Sequence, residues 1–235
     1  MTDTTTSTET SPHHDLVTAV FDGRTAVGQP TVAPDGGRIA FVVARIDVGE
    51  NTTTTRIWLT SSAGGDAAPL TAGPHDGSPA FSPDGRFLAF TSRRGEKDKE
   101  ATLHVLPVDG PGEVRTLATL PEGFGEPTWS PDGKWIAFTS RTRDARYEAK
   151  DESWQSPRKV ETFFTRFNGE GWVVDRPSHV YVVAADGTGA PRNLTPGKHQ
   201  HEGIAWLVDS SAILTSASRH DGWDRDLVSD IYVVP

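Results

Sequence analysis

Eight histidines stand in the 235 residues, and the tightest group is His199-Gln200-His201-Glu202. On a strand, a His-x-His pair turns both rings to one face, the arrangement a divalent metal uses. This stretch, however, lies between Gly197 and a strand predicted to begin near Gly203. A solvated loop is the preferred reading, with no cofactor expected; His199 and His201 are the ligand candidates should a metal be held. Tryptophans offer a second kind of chemistry, contact by a flat apolar ring. Trp129 and Trp206 fall on an inner-strand position that recurs along the chain and read as core, whereas Trp154 and Trp172 fall in an irregular segment and are the candidates for touching a substrate. Covalent catalysis finds no support, because the chain has no cysteine and no Gly-x-Ser-x-Gly elbow, so no catalytic residue is assigned. Asp35, Asp84, Asp132 and Asp209 recur at turns. A carboxylate needed in every unit serves the backbone, since a catalytic group is needed once. Arg93, Arg141 and Arg219 recur near one end of their units and are expected to form a solvated rim rather than a dock for acidic partners.

The elements that hold these residues repeat. Pro30-Thr31-Val32-Ala33-Pro34-Asp35-Gly36, Pro79-Ala80-Phe81-Ser82-Pro83-Asp84-Gly85 and Pro127-Thr128-Trp129-Ser130-Pro131-Asp132-Gly133 lead into Ile39-Ala40-Phe41, Leu88-Ala89-Phe90 and Ile136-Ala137-Phe138. Pro-Asp-Gly presets the first turn angle and places glycine where left-handed backbone closes a hairpin, so each motif joins two antiparallel strands. The second strand of each pair is apolar on both faces, bulky on one and alanine on the other, and must be covered on both. A third strand follows at Arg56–Leu59, Leu103–Leu106 and His179–Val183, and a short fourth at Pro69–Thr71, Val114–Leu117 and Arg192–Thr195. Val32, Phe81 and Trp129 stand 49 and 48 residues apart by their numbers. Four strands in a period of roughly 40–50 residues predict a propeller blade. The fold expected is all-β: a partial β-propeller of three full four-stranded antiparallel blades plus an incomplete fourth.

The last unit keeps Trp206-Leu207-Val208-Asp209-Ser210-Ser211 and a third strand at Asp230–Pro235 but shows no fourth strand. An open edge of this kind invites association, so a fragment or truncated product is expected, with low stability and a possible oligomer through its blade edges. Residues 1–14 read as a disordered Thr/Ser-rich tail, residues 15–27 as a short lead-in helix or strand, and residues 28–235 as the propeller. The step from Trp129 to Trp206 is much longer than one unit, which places an insertion at 141–178. Its second part carries two apolar runs around Asn168-Gly169, a projecting hairpin. The mixed-charge run Arg93–Glu100 reads as a solvated loop. A net charge of −9 without a basic stripe argues against nucleic acid, and no stretch is long and apolar enough to cross a membrane.

The repeated Ser/Ala-Pro-Asp-Gly, the closing Leu70-Thr71-Ala72-Gly73 and Leu194-Thr195-Pro196-Gly197, and the segment Phe164 to His179 resemble the N-terminal propeller of prolyl-oligopeptidase-type serine peptidases, in particular the acylaminoacyl-peptidase branch. Asp15–Phe21 resembles the short helix before the propeller in that family. The resemblance implies a serine peptidase acting on short peptides, with the propeller gating an α/β-hydrolase domain that carries a Ser-Asp-His triad; a cytoplasmic location is expected from the lack of cysteine and of a leader-like N-terminus. That domain is absent from these residues and would be the propeller's partner. The alternative is a free-standing TolB-type propeller serving protein interaction. A propeller lyase with histidine-bound metal would require His199 and His201.

Overall fold

The computed structural model describes residues 12–93, 100–110, 112–147, 152–226 and 228–235. The expected tail through Ser11, and residues 94–99 of the mixed-charge run, lie outside the described residues. Each Pro-Asp-Gly turn adopts the backbone its residues favour: Gly36, Gly85 and Gly133 hold φ of 72°, 71° and 71°, where glycine alone escapes a steric penalty. The aspartate then clamps the turn. Asp84 Oδ1 accepts from Ser82 Oγ at 2.5 Å and from Arg86 N at 3.1 Å, while Ser82 Oγ accepts from Phe87 N at 3.0 Å. Ser130 and Asp132 repeat the clamp with Lys134 and Trp135. The hydroxyl of Ser82 or Ser130 is the main cause that holds each carboxyl below its ordinary range. In the fourth turn Ser210 stands where glycine stood and keeps a φ of 62°. Its hydroxyl accepts from Asp132 N at 3.0 Å, tying the fourth turn to the third.

Helix α1 (Pro12–Phe21) opens the described chain. Four antiparallel sheets follow. The first runs β1 (Thr25–Val32), β2 (Arg38–Asp47), β3 (Thr52–Ser61) and β4 (Ala68–Pro69), and the second β5 (Asp76–Phe81), β6 (Phe87–Ser92), β7 (Ala101–Pro107) and β8 (Arg115–Leu120). The third holds β9 (Thr128–Trp129) and β10 (Trp135–Arg141). The insertion then forms its own hairpin, β11 (Arg166–Phe167) and β12 (Gly171–Trp172), before the third sheet resumes with β13 (Ser178–Ala184) and β14 (Arg192–Asn193). Arg141 pairs directly with Ser178, so the insertion leaves and rejoins the sheet on one rung. The fourth sheet has three strands, β15 (His201–Trp206), β16 (Ile213–Ala217) and β17 (Asp230–Val234). Two boundaries differ from the sequence reading. The lead-in is helix to Phe21 and already β1 from Thr25, because the first inner strand extends toward the helix. His201 opens β15 instead of lying in a loop, because it pairs with Ala217 across a bulge at Gly203.

Consecutive sheets pack large side chains over small ones. Ala40 of the first sheet lies with Phe81, Leu88 and Phe90 of the second; Ala89 of the second lies with Ile136 and Phe138 of the third; Ala137 of the third lies with Ile213 of the fourth. Alanine is therefore required at these positions by the neighbour, since a longer side chain would overfill the layer. Indole groups add a polar link at the second and third junctions: Trp129 Nε1 donates to Ala80 O and Trp206 Nε1 to Thr128 O, both at 3.0 Å. Arg38 reaches Gly85 O at 2.9 Å and Val108 O at 3.1 Å across the first junction, and Arg115 reaches Ala185 O at 3.2 Å across the second. The two end faces have no such cover. Val27 and Val32 on the first sheet are 68% and 57% exposed, and Ile231 and Val233 on the last are 67% and 62% exposed.

Candidate functional site

The insertion folds back over one end of the third sheet and is held there by arginines. Arg158 is central. Its guanidinium lies 4.8 Å from the ring centre of Tyr147 and 5.0 Å from that of Trp172, pairs with the buried Asp175 at 2.9 Å, and donates to Gln155 at 3.1 Å. A flat, delocalised cation fits between two rings and still donates in plane, which an ammonium does not. One side chain thus joins the start of the insertion to its hairpin and to the turn before β13.

A second cluster seats the hairpin on the body. Glu122, in the loop after β8, is nearly buried and accepts from Arg143 and from Arg176, each at 2.5 Å. Burial pushes its carboxyl up, yet the hydrogen bonds from Arg176 and Arg143, with their charges, win and hold it below its ordinary range. Arg176 also donates to Trp172 O at 2.6 Å and to Glu170 O, while Arg141 pairs with Glu170 and reaches Gln200 at 3.2 Å. A third link crosses to the fourth sheet, where Asp224 accepts from Phe163 N at 2.8 Å.

Between the insertion and the third and fourth sheets lies a cleft of about 780 Å³, with Tyr147, Phe164, Val173 and Trp223 among its apolar walls and Asp175 and Lys198 among its charged ones. Thr142 and His179 also line it. The Thr142 hydroxyl is 2.7 Å from His179 Nδ1, a spacing that suits a nucleophile and its base. The same atoms have other partners. His179 Nε2 faces Gly197 O at 2.9 Å and must donate to it, among the described residues no carboxylate contacts the ring, the Asn193 amide is 3.1 Å from Nδ1, and the Tyr181 hydroxyl is 2.6 Å from Thr142. Burial further lowers the affinity of His179 for a proton. The cluster is a hydrogen-bonded internal link, and the cleft is shaped to bind and position.

The candidate residues are dispersed. Trp154 stands 81% exposed on a short helical turn, Glu152–Trp154. Trp172 is half-buried, with its ring in use by Arg158 and Arg166. His199 donates from Nδ1 to Ser218 O at 3.0 Å and lies against Trp223. His201 is buried, with Nδ1 lacking a hydrogen-bond partner. Among the described residues no group of three or more His, Cys, Asp or Glu side chains is placed to hold a metal. Arg93 and Arg141 share a smaller cleft of about 450 Å³ with Glu122 and Arg176, whereas Arg219 stacks on Tyr232 at 4.8 Å. Glu122, Arg158 and Asp175 were not foreseen from the sequence. Arg158 and Asp175 lie in the insertion, whereas Glu122 lies well before it in the loop after β8.

The sequence matches no protein-family profile. It is 30% identical over 226 residues to the uncharacterized peptidase YuxL of Bacillus subtilis (strain 168), covering 94% of this chain and 33% of that protein. Among solved structures, the acylaminoacyl peptidase of Pyrococcus horikoshii superposes with a TM-score of 0.72 at 16% identity, over 92% of this chain and 32% of that one. The putative TolB of Agrobacterium tumefaciens superposes at 0.50 and 15% identity, over 88% of this chain and 76% of that one. The chain therefore spans about a third of the length of the peptidases it matches.

Replacing Arg158 by Ala strips the buried Asp175 of its cation, and a loss of about 3–5 kcal/mol is expected from such an unpaired charge. Hydrogen exchange should rise first in the 152–176 segment, and Arg158→Lys should restore little of the protection. Acid acts elsewhere. Burial, reinforced by Arg219, His179 and His199, pushes His201 down to about 4 from 6.5. Between those values the unfolded chain takes up a proton that the folded chain refuses, so stability should fall as pH drops from 6.5 to 4. Denaturant titrations across that range should show a shallower pH slope in His201→Asn, with His179 and His199 supplying the remainder.

Proposed function

We propose that this chain, which has the fold of the propeller of prolyl-oligopeptidase-type peptidases, is the noncatalytic gating portion of a cytoplasmic serine peptidase that hydrolyses short peptides. The observation that carries the reading is the match to the Bacillus peptidase. At 94% coverage of this chain it must cross the insertion, the segment by which the repeat departs from a plain propeller. The reaction itself would belong to an α/β-hydrolase domain outside these residues.

In this reading the chain contributes selection. The stacked sheets form a rigid wall, and the insertion overhangs one end of it above a cleft sized for a few amino-acid side chains. Trp154 presents an exposed ring for stacking against a peptide, while Trp172 would contact substrate only beside the Arg158 stack. A folded protein would be excluded by bulk, whereas an extended peptide would pass. A cysteine-free chain needs no oxidising compartment to fold, in keeping with the cytoplasmic assignment.

Continuing the reading frame beyond codon 235 is the test. A downstream region with Gly-x-Ser-x-Gly is expected, and the longer product should cleave chromogenic acyl-peptide substrates that the 235-residue chain leaves intact. In that product Trp154→Ala should raise KM for short peptides and leave kcat nearly unchanged. A stop codon at this point, with no hydrolase region to follow, would instead favour a free-standing interaction propeller of the TolB type.

A further inference from the structure

The hairpin of the insertion turns through Asn168-Gly169-Glu170, between β11 and β12. All three residues are exposed, and among the described residues no hydrogen bond engages the Asn168 amide or the Gly169 N–H. Gly169 holds a φ of 82°, which glycine adopts without strain, and a Cβ placed there would meet nothing within 4 Å. Asparagine is chemically labile because the backbone nitrogen of the next residue can reach its side-chain carbonyl. A Cβ beside that nitrogen, or a hydrogen bond from it, is protection. Gly169 has neither.

The chain has three asparagines, and the other two are protected. Asn51 precedes Thr52, whose branched side chain crowds the nitrogen. Asn193 donates to Tyr181 Oη at 3.3 Å and accepts from Thr195 N at 3.0 Å, and the N–H of its neighbour Leu194 donates to Val180 O at 2.8 Å. The Pro-Asp-Gly turns offer the same glycine but a poorer electrophile. Serine hydroxyls keep Asp84 and Asp132 ionised, and a carboxylate anion repels the attacking nitrogen. The tip is also where the hairpin is seated: Glu170 N donates to Phe167 O at 3.2 Å, its carboxylate pairs with Arg141, and its carbonyl accepts from Arg176. Gly169 and Glu170 line the smaller cleft beside Arg93.

We propose that Asn168 is a site of spontaneous deamidation and that the product loosens the hairpin from Arg141 and Arg176. The Gly169 nitrogen gives its proton to base and attacks Asn168 Cγ. The new N–Cγ bond closes a cyclic imide as the Cγ–Nδ2 bond breaks, and the amide leaves as ammonia. Water then opens the imide. Opening at Cγ gives aspartate; opening at the main-chain carbonyl gives isoaspartate, whose backbone runs through the side chain and is one methylene longer. That longer turn strains the Phe167–Gly171 rung and carries Glu170 away from both arginines. Either product sets a new carboxylate beside that of Glu170. The modification is independent of the peptidase reading.

The whole 235-residue chain, held at mildly alkaline pH both native and unfolded in urea, is followed by peptide mass mapping, enzymatic methylation of isoaspartate and hydrogen exchange. In the native chain Asn168 should convert at a rate comparable to that in urea, and at least about tenfold faster than Asn51 or Asn193, because glycine leaves its nitrogen open. Aged chains should exchange faster over 166–172, whereas Asn168→Gln chains aged alike should show neither the mass change nor the faster exchange. Asn168 that stays intact in the native chain while it converts in urea would overturn the site. Conversion to isoaspartate with unchanged exchange would overturn the loosening.

Discussion

The structure depends on one packing rule, alanine of each sheet beneath the bulky pair of the next. Because both faces of every middle strand are apolar, no sheet here can stand alone in water, and each is stable only as a layer between neighbours. The rule fixes the spacing of the sheets and their order. Hydrogen bonds between sheets from Trp129, Trp206, Arg38 and Arg115 go to backbone carbonyls, and they hold position without adding bulk to the layer.

The candidate site is built where the repeat is broken. The insertion interrupts the third sheet between two residues that are themselves paired, so the scaffold is undisturbed and the added segment is free to take its own form. It is held by charge and aromatic contact where the core is held by apolar packing, through Arg158 between two rings and Glu122 between two arginines. An arm held this way keeps a cleft open at its base while presenting Trp154 to solvent.

Much of this was legible in the residues. Turn chemistry is local, so Pro-Asp-Gly announced the hairpins, the positive φ of Gly36, Gly85 and Gly133, and the structural use of Asp84 and Asp132. The long step from Trp129 to Trp206 marked extra residues between the third unit and the fourth. What escaped depends on residues distant in sequence. Nothing near Arg158 signals that Tyr147, Trp172 and Asp175 will surround it, and Glu122 acquires its two arginines only when the insertion folds back. Ser210 hides its positive φ because serine rarely marks one. The exchange of Ala-Phe for Leu214-Thr215 looks like an ordinary loss of pattern until the sheet registers show which face each residue takes.

The packing rule is tested most directly by comparing the stability of two single variants in denaturant. Ala137→Leu overfills an interior junction and should cost about 1–3 kcal/mol. Leu214→Ala, in the same register but on the open face, should cost less than about 1 kcal/mol, because little is packed against it there. Equal effects from the two changes, or a larger loss from Leu214→Ala, would contradict the rule on which the stacked sheets rest.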